Sequence, residues 1–231
     1  MTENYTSWPL GQVPKEYQRP EIDILKERYG ISDPREANTL FEEKICKFTG
    51  SRFAVLVDSC SNGLFLSMKI SGCEGKITIP ARTYISVPQQ IIHAGCKPVF
   101  EDIEWEGVYQ LKPYRIYDAA VRWTKGMYIP NTLMVVSFQI KKRLPIGKGG
   151  VILTDCEDQY NLLKKLVHDG RDIDAPYTKD PFNTLGYHMY MTPEDAARGL
   201  LIMDSLQTVN DDTGNHTTYT DLSKLEIFKN D

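Results

Sequence analysis

The stretch Tyr114-Arg115-Ile116-Tyr117-Asp118-Ala119-Ala120 decides how this chain reads. It is a short strand that ends in an acid. The next apolar run, Leu133-Met134-Val135-Val136-Ser137-Phe138, is a second strand, and it ends in a hydroxyl. Lys141-Lys142-Arg143-Leu144 follows, and then Gly147-Lys148-Gly149-Gly150. In an open α/β sheet, groups at or just past the carboxyl ends of strands converge on one crevice. Asp118, Ser137 and a lysine of the 141–142 pair are therefore candidates for one site. On these residues alone, a surface lysine pair and a strand-end acid fit equally well.

The flanking sequence supplies the rest of the sheet. Phe53-Ala54-Val55-Leu56-Val57, Ile77-Thr78-Ile79-Pro80, Lys97-Pro98-Val99-Phe100 and Gly149 to Thr154 are short apolar strands. Between them lie helical patterns. One starts near Asp33-Pro34 and carries Ala37, Leu40, Phe41, Ile45 and Phe48 to a stop at Gly50; Pro at the first helical position and Gly after the last are helix signals. Others begin at Leu64, run from Tyr84 to Ala94, run from Glu157 to His168, and run from Thr192 to about Leu206. Strands alternating with helices predict an α/β fold, with a mostly parallel or mixed sheet sandwiched by helices. Residues 104–113 read as a short connection, 171–191 as a long loop, and the polar stretch after Asn210 as a loose tail. The expected division is an irregular arm over 1–20, an α/β domain over 21–208 and a short tail over 209–231.

Bulk properties narrow the function. The chain has 231 residues and a net charge of −4, so overall charge offers nothing to a nucleic acid or a membrane surface. No apolar run approaches the ~20 residues needed to span a bilayer. The polar Met1-Thr2-Glu3-Asn4-Tyr5 start lacks a signal-peptide pattern, and five scattered cysteines without a CxxC pair suggest reduced thiols, so a cytoplasmic protein is expected. Four histidines without metal-ligand spacing give no metal signal.

An acid, a hydroxyl and a lysine at one crevice suit pyridoxal phosphate. An Asp can keep the pyridine nitrogen protonated, a lysine can form a Schiff base, and a hydroxyl can bind phosphate. Asp58-Ser59-Cys60-Ser61-Asn62-Gly63, between a strand and a helix, offers amides and hydroxyls for an anion, or an ordinary helix cap.

Taken in order, these pieces resemble the DegT/DnrJ/EryC1/StrS family of pyridoxal-phosphate sugar aminotransferases over about residues 38–206. The carrying motifs are Leu40-Phe41-Glu42 to Gly50, Ser59 to Leu64, Pro80-Ala81-Arg82-Thr83-Tyr84, Gly95 to Asp102, Tyr117 to Ala120, Ser137 to Leu144, Gly147 to Gly150, and Gly186-Tyr187 to Thr192. The resemblance implies the larger domain of a fold type I, aspartate aminotransferase-like transferase, in abbreviated form. Set against the family, the resemblance implies that the strand–helix units between Asp102 and Tyr114 are cut to a short link and that the small C-terminal domain is lost. It implies Lys142 as the Schiff-base residue and Asp118 as the partner of the pyridine nitrogen. Ser61, Asn62 and Ser137 would belong to the phosphate site, and Tyr84 would be the aromatic that stacks on the ring. His188 stands where the family has an Asn that reaches the partner subunit's phosphate across a homodimer. Val121 stands where the family usually has a Gln, and Trp123 where it has a polar group. The implied reaction is transamination of a nucleotide-linked keto-sugar from a glutamate-like donor. The alternative is a non-catalytic relative that keeps the fold, and perhaps the cofactor, for binding or dimerisation.

Overall fold

The computed structural model describes residues 19–229. Apart from Arg19 and Pro20, the arm expected over residues 1–20 lies outside them. Six helices and seven strands follow in order: α1 (Glu21–Tyr29), α2 (Glu36–Thr49), β1 (Phe53–Val57), α3 (Cys60–Ile70), β2 (Lys76–Pro80), α4 (Ser86–His93), β3 (Lys97–Glu101), β4 (Tyr109–Leu111), β5 (Ile116–Asp118), β6 (Leu133–Ser137), β7 (Gly150–Thr154), α5 (Glu157–Leu166) and α6 (Pro193–Met203).

The first three helices depart from sequence expectation. Helix α1 was not anticipated; it buries Ile22 and Leu25 and ends at Gly30, whose left-handed backbone (φ 67°) lets its N–H reach the Lys26 carbonyl. Helix α2 starts at Glu36 and not at Asp33. The Asp33 carboxylate takes the Arg35 N–H at 2.9 Å, while Glu36 reaches back to the N–H groups of Ser32 and Asp33 at 2.9 and 2.8 Å. That closes the helix entrance from the glutamate side. Helix α3 starts four residues before Leu64 because Ser59 caps it, accepting the Asn62 N–H at 3.2 Å.

The sheet is mixed. Five strands run in the order β1-β7-β6-β5-β4; β5 and β6 pair in parallel, while β1–β7, β6–β7 and β4–β5 are antiparallel. Strands β2 and β3 form a parallel pair. They are joined to the β4 end by two backbone hydrogen bonds between Thr78 and Lys112, of 2.8 and 3.0 Å. The antiparallel β6–β7 pair needs no crossover helix, so the chain between them is free to form the lysine-bearing turn. The link read as a plain connection contains β4, which pairs residue for residue with β5 and sets Tyr109 opposite Asp118.

Both faces of the sheet are covered. One core layer sets Phe41 and Ile45 of α2 and Ala197 and Leu200 of α6 against Met134, Val136, Val151 and Leu153. The other sets Leu64 and Met68 of α3, Ile91 of α4 and Leu163 of α5 against Val55, Val57, Val135 and Ile152. Strands β6 and β7 are buried at every residue, as continuous apolar strands in a two-sided layer should be. Between α2 and α5, Glu42 is buried with both carboxylate oxygens 3.0 Å from Lys164 Nζ, and it also accepts the Leu56 N–H at 3.1 Å.

The segment after Asn210 is not loose. Its Thr213 N–H and hydroxyl bind the Val121 carbonyl at 2.9 and 3.1 Å, and Asp212 pairs with Arg122 at 2.6 Å. Further on, the Leu222 N–H binds the Ala81 carbonyl at 2.8 Å with its side chain buried, and Phe228 packs on Phe100 with ring centroids 5.4 Å apart. Polar composition misled the sequence reading: the segment is held through backbone groups and a few apolar anchors, which leave little periodic signal.

Candidate active site

Asp118 ends β5 with its side chain buried. Oδ2 accepts the Tyr109 hydroxyl at 2.6 Å, and Oδ1 accepts the Ala120 N–H at 2.9 Å. The Cys60 thiol, in the first turn of α3, lies 4.0 Å from Oδ1. Burial pushes the Asp118 carboxyl above its ordinary value; Tyr109, the Ala120 amide and the Lys142 charge work against that shift. Burial, and then the Asp118 charge, push the Cys60 thiol well up.

Lys142 sits in the turn that follows β6. The turn is built locally: the Gln139 side-chain oxygen accepts the Lys141 N–H at 2.8 Å, and its backbone carbonyl accepts the Lys142 N–H at 2.8 Å. Lys141 is exposed and Lys142 half-buried. The Lys142 charge acts on both Asp118 and Cys60, and its Nζ makes no hydrogen bond or ion pair among the described residues. Ser137, the last residue of β6, is buried, and its hydroxyl accepts the Gln139 N–H at 3.3 Å.

The head of α3 is pressed onto the sheet. A Cβ on Gly63 would lie 2.7 Å from Val135 Cγ1, so glycine is needed for the helix to cross β6 this closely. The Ser61 hydroxyl bonds the Ser86 hydroxyl at 2.7 Å, whereas the Asn62 amide is turned to Asp58 at 2.7 Å. The first-turn N–H groups of a helix have no intrahelical acceptor and attract anions. Tyr84 is 58% exposed, with its hydroxyl in electrostatic reach of Tyr219.

His188 is not gathered with the others in this chain. Its Nδ1 lies 2.9 Å from Asp169 Oδ2, and its ring meets Tyr190 edge-on at 4.9 Å. The neighbouring Met189 carbonyl accepts the Asp58 N–H at 2.8 Å, so the strand of loop that carries His188 runs beside the α3 turn. Val121 is buried against the C-terminal segment, and Trp123 is stacked on Phe48 at 4.9 Å. Both departures from the family pattern serve packing. Arg82, Arg122 and Arg143 are engaged by Asp102, by Asp212 and by the Asp211 carbonyl.

Three residues at the site escaped the sequence reading. Tyr109 lies in the link taken as a connection; Tyr-Gln-Leu at 109–111, alternating about a polar residue, was the only cue. Cys60 reads only as part of the turn before a helix until the fold brings it to Asp118. Tyr219 comes from the C-terminal segment, packs on Trp105 with centroids 5.7 Å apart, and feels the charge of Asp118. A cleft of about 430 Å³ opens beside it between Arg82, Asp102, Glu104, His216 and Thr217. A second, of about 470 Å³, lies between Arg122, Lys125 and Asp212 and has none of the converging groups in its lining.

The donor set fits pyridoxal phosphate: a buried acid, an amine without a partner among the described residues, the hydroxyls of Ser61 and Ser137, and a helix N-terminus. A mixed α/β sheet with this set at its strand ends is the frame of the pyridoxal-phosphate-dependent aminotransferases. The profile of the DegT/DnrJ/EryC1/StrS aminotransferase family matches residues 22–134 and 129–227, and the chain belongs to that family. It is 37% identical over 127 residues to the spore coat polysaccharide biosynthesis protein SpsC of Bacillus subtilis, a match covering 54% of this chain and 32% of SpsC. The chain thus spans about a third of SpsC in that match. Among solved structures, Spr1654 of Streptococcus pneumoniae in its PLP form superposes with a TM-score of 0.63 at 18% identity, over 84% of this chain and 65% of Spr1654. DesI, solved in the presence of its TDP-sugar product, superposes with a TM-score of 0.62 at 19% identity, over 84% of this chain and 59% of DesI. Among the described residues, no helix is long and apolar enough to cross a membrane.

Proposed function

We propose that this chain carries the cofactor-binding domain of a pyridoxal-phosphate aminotransferase that moves an amino group from a glutamate-like donor to a nucleotide-linked keto-sugar. The observation that carries this reading is the approach of Asp118, with its carboxyl buried, to the amine of Lys142, which has no hydrogen-bond or ion-pair partner among the described residues, beside the N-terminus of α3. The DesI structure, with its TDP-sugar product, supports the sugar-nucleotide class.

Each residue then has a role. Lys142 Nζ would hold the cofactor covalently, and its amine, when free, would carry a proton. Asp118 faces the ring nitrogen and favours its protonated form. Ser61, Ser137 and the first-turn amides of α3 hold the phosphate, with Asn62 beside them, and Tyr84 covers the ring. The cofactor, when bound, supplies the electron sink that stabilises charge at the substrate carbon.

The domain is assigned to residues 21–208, with 1–20 as an arm and 209–231 as a short C-terminal segment, in a cytoplasmic homodimer in which His188 serves the partner's phosphate. The strongly exposed Tyr177, Phe182 and Leu185 of the loop 171–191 support a covered face. The binding-only alternative is favoured by Val121 and Trp123, whose side chains are spent on packing.

The test is the visible absorbance of the purified protein with added pyridoxal phosphate, before and after borohydride, for wild type, Lys142→Ala and Asp118→Asn. We expect a yellow species that reduction fixes covalently in wild type and not in Lys142→Ala, and that glutamate bleaches. Fixation without bleaching would leave only the non-catalytic role with the cofactor kept, and absence of any bound cofactor in wild type would sink the enzyme reading and leave a fold kept for binding or dimerisation.

A further inference from the structure

The Asp118 carboxylate is held by a side chain that the motifs around it do not contain. Tyr109 comes from β4, in the shortened link between Asp102 and Tyr114. It is buried, its hydroxyl lies 2.6 Å from Asp118 Oδ2, and the Thr83 hydroxyl lies 2.5 Å from the Tyr109 hydroxyl oxygen. Donor directions follow from charge. An ionised carboxylate can only accept, so Tyr109 donates to it, and Thr83 in turn donates to Tyr109. Thr83 is itself buried, one residue before Tyr84. Trp105 packs on the Tyr109 ring with centroids 4.8 Å apart and gives its indole N–H to the Arg82 carbonyl at 2.9 Å.

We propose that Tyr109, backed by Thr83, is the positioning residue for Asp118, fixing the orientation of its carboxylate and keeping it ionised despite burial. This rests on the reading that Asp118 serves a pyridine nitrogen. With Oδ2 taken by Tyr109 and Oδ1 by the Ala120 amide, the carboxylate cannot rotate. It retains acceptor capacity, since a carboxylate has about four lone-pair sites. Loss of the tyrosine hydroxyl would leave one oxygen buried without a donor, and the neutral acid would be favoured. Tyr109 stays a donor throughout: burial first, and then the Asp118 charge, drive its own pKa well up. The other groups that face Asp118 are Cys60 from α3 and Lys142 from the β6–β7 turn, with Tyr219 of the C-terminal segment in electrostatic reach. Only Lys142 among these opposes protonation.

The experiment follows the Asp118 carboxyl itself. The cofactor-free protein is labelled with ¹³C at the Asp side-chain carbons and titrated by NMR, Asp118→Asn supplying the assignment. In Tyr109→Phe the Asp118 midpoint should rise by about one pH unit, the size expected for one charge-assisted hydrogen bond. Thr83→Val should move it the same way by less, and serves if Tyr109→Phe does not fold. An unchanged midpoint in these variants overturns the proposal.

A second arm measures pyridoxal-phosphate binding by absorbance as pH is lowered. Tyr109→Phe should lose affinity at a higher pH than wild type, with Lys142 still fixed by borohydride at neutral pH. Identical acid limits for the two proteins overturn the role toward the cofactor. Wild type that binds no cofactor at any pH would instead remove the aminotransferase reading, while the NMR midpoints still decide whether Tyr109 governs Asp118.

Discussion

Gly150 of β7 and Cys60 of α3 are packed backbone against backbone: a Cβ on Gly150 would lie 2.8 Å from the Cys60 nitrogen and 2.7 Å from the Val136 carbonyl oxygen. The contact sets the head of α3 on the sheet between Asp118 and Ser137. Gly150 is thus required for closeness and not for an unusual backbone angle.

Gly150→Ala forces either the helix head or β6 to move. Overpacking of this kind costs about 1–3 kcal/mol, and the displaced turn should also weaken binding of pyridoxal phosphate. Urea unfolding and a cofactor titration check both parts. Wild-type stability together with wild-type affinity would show that α3 is not seated as described.

Glu42 and Lys164 form a pair with unequal surroundings. Burial carries the Glu42 carboxyl above its ordinary value despite Lys164. Burial acts to lower the Lys164 ammonium, yet the Glu42 charge carries it up. The carboxylate is the more deeply buried partner, so burial outweighs the pairing at Glu42, whereas at Lys164 the pairing outweighs burial. Glu42→Ala leaves the Leu56 N–H unpaired and should cost about 3 kcal/mol, the low end for breaking a buried pair. Glu42→Gln, which keeps an acceptor for Leu56, should cost less. Equal losses for the two substitutions in urea unfolding would contradict this account.

His168 stacks on Tyr190, with centroids 5.1 Å apart, and gives its Nδ1 proton to the Lys164 carbonyl at 2.9 Å. Burial pushes its pKa below the usual histidine value. The unfolded chain therefore binds more protons than the folded one just below about pH 6.5, the unfolded histidine value. His168 contributes stability above that pH, and the contribution is lost as pH falls toward the folded value. Between about pH 7.5 and pH 5.5, wild type should lose more thermal stability than His168→Gln. Parallel melting-temperature curves for the two proteins would show that His168 is not buried neutral.

Much of the site was legible in the sequence because it depends on local rules. A strand-end acid, a hydroxyl at the end of the next apolar run and a lysine pair just beyond it can be read from alternation and order, whereas the choice of Lys142 over Lys141 came from the family resemblance. The structure brings Asp118 and Lys142 into electrostatic reach of each other and sets Ser137 at the end of β6. The helices over Ala37–Phe48 and 157–168 follow from apolar periodicity and glycine stops, and they form with only their ends displaced.

What tertiary structure alone decided has no local signature. The antiparallel pairing of β7 with β1 and β6, and the creation of β4, depend on which edge lies free when distant segments meet. The same pairing delivers Tyr109 to Asp118, and backbone bonds to Val121, Trp105 and Ala81 hold the C-terminal segment over the sheet edge. Periodicity and capping act over a few residues and are written in them. Strand partnership and the burial of a single hydroxyl are settled between residues far apart in the chain, whose side chains carry no mark of the partner they will find.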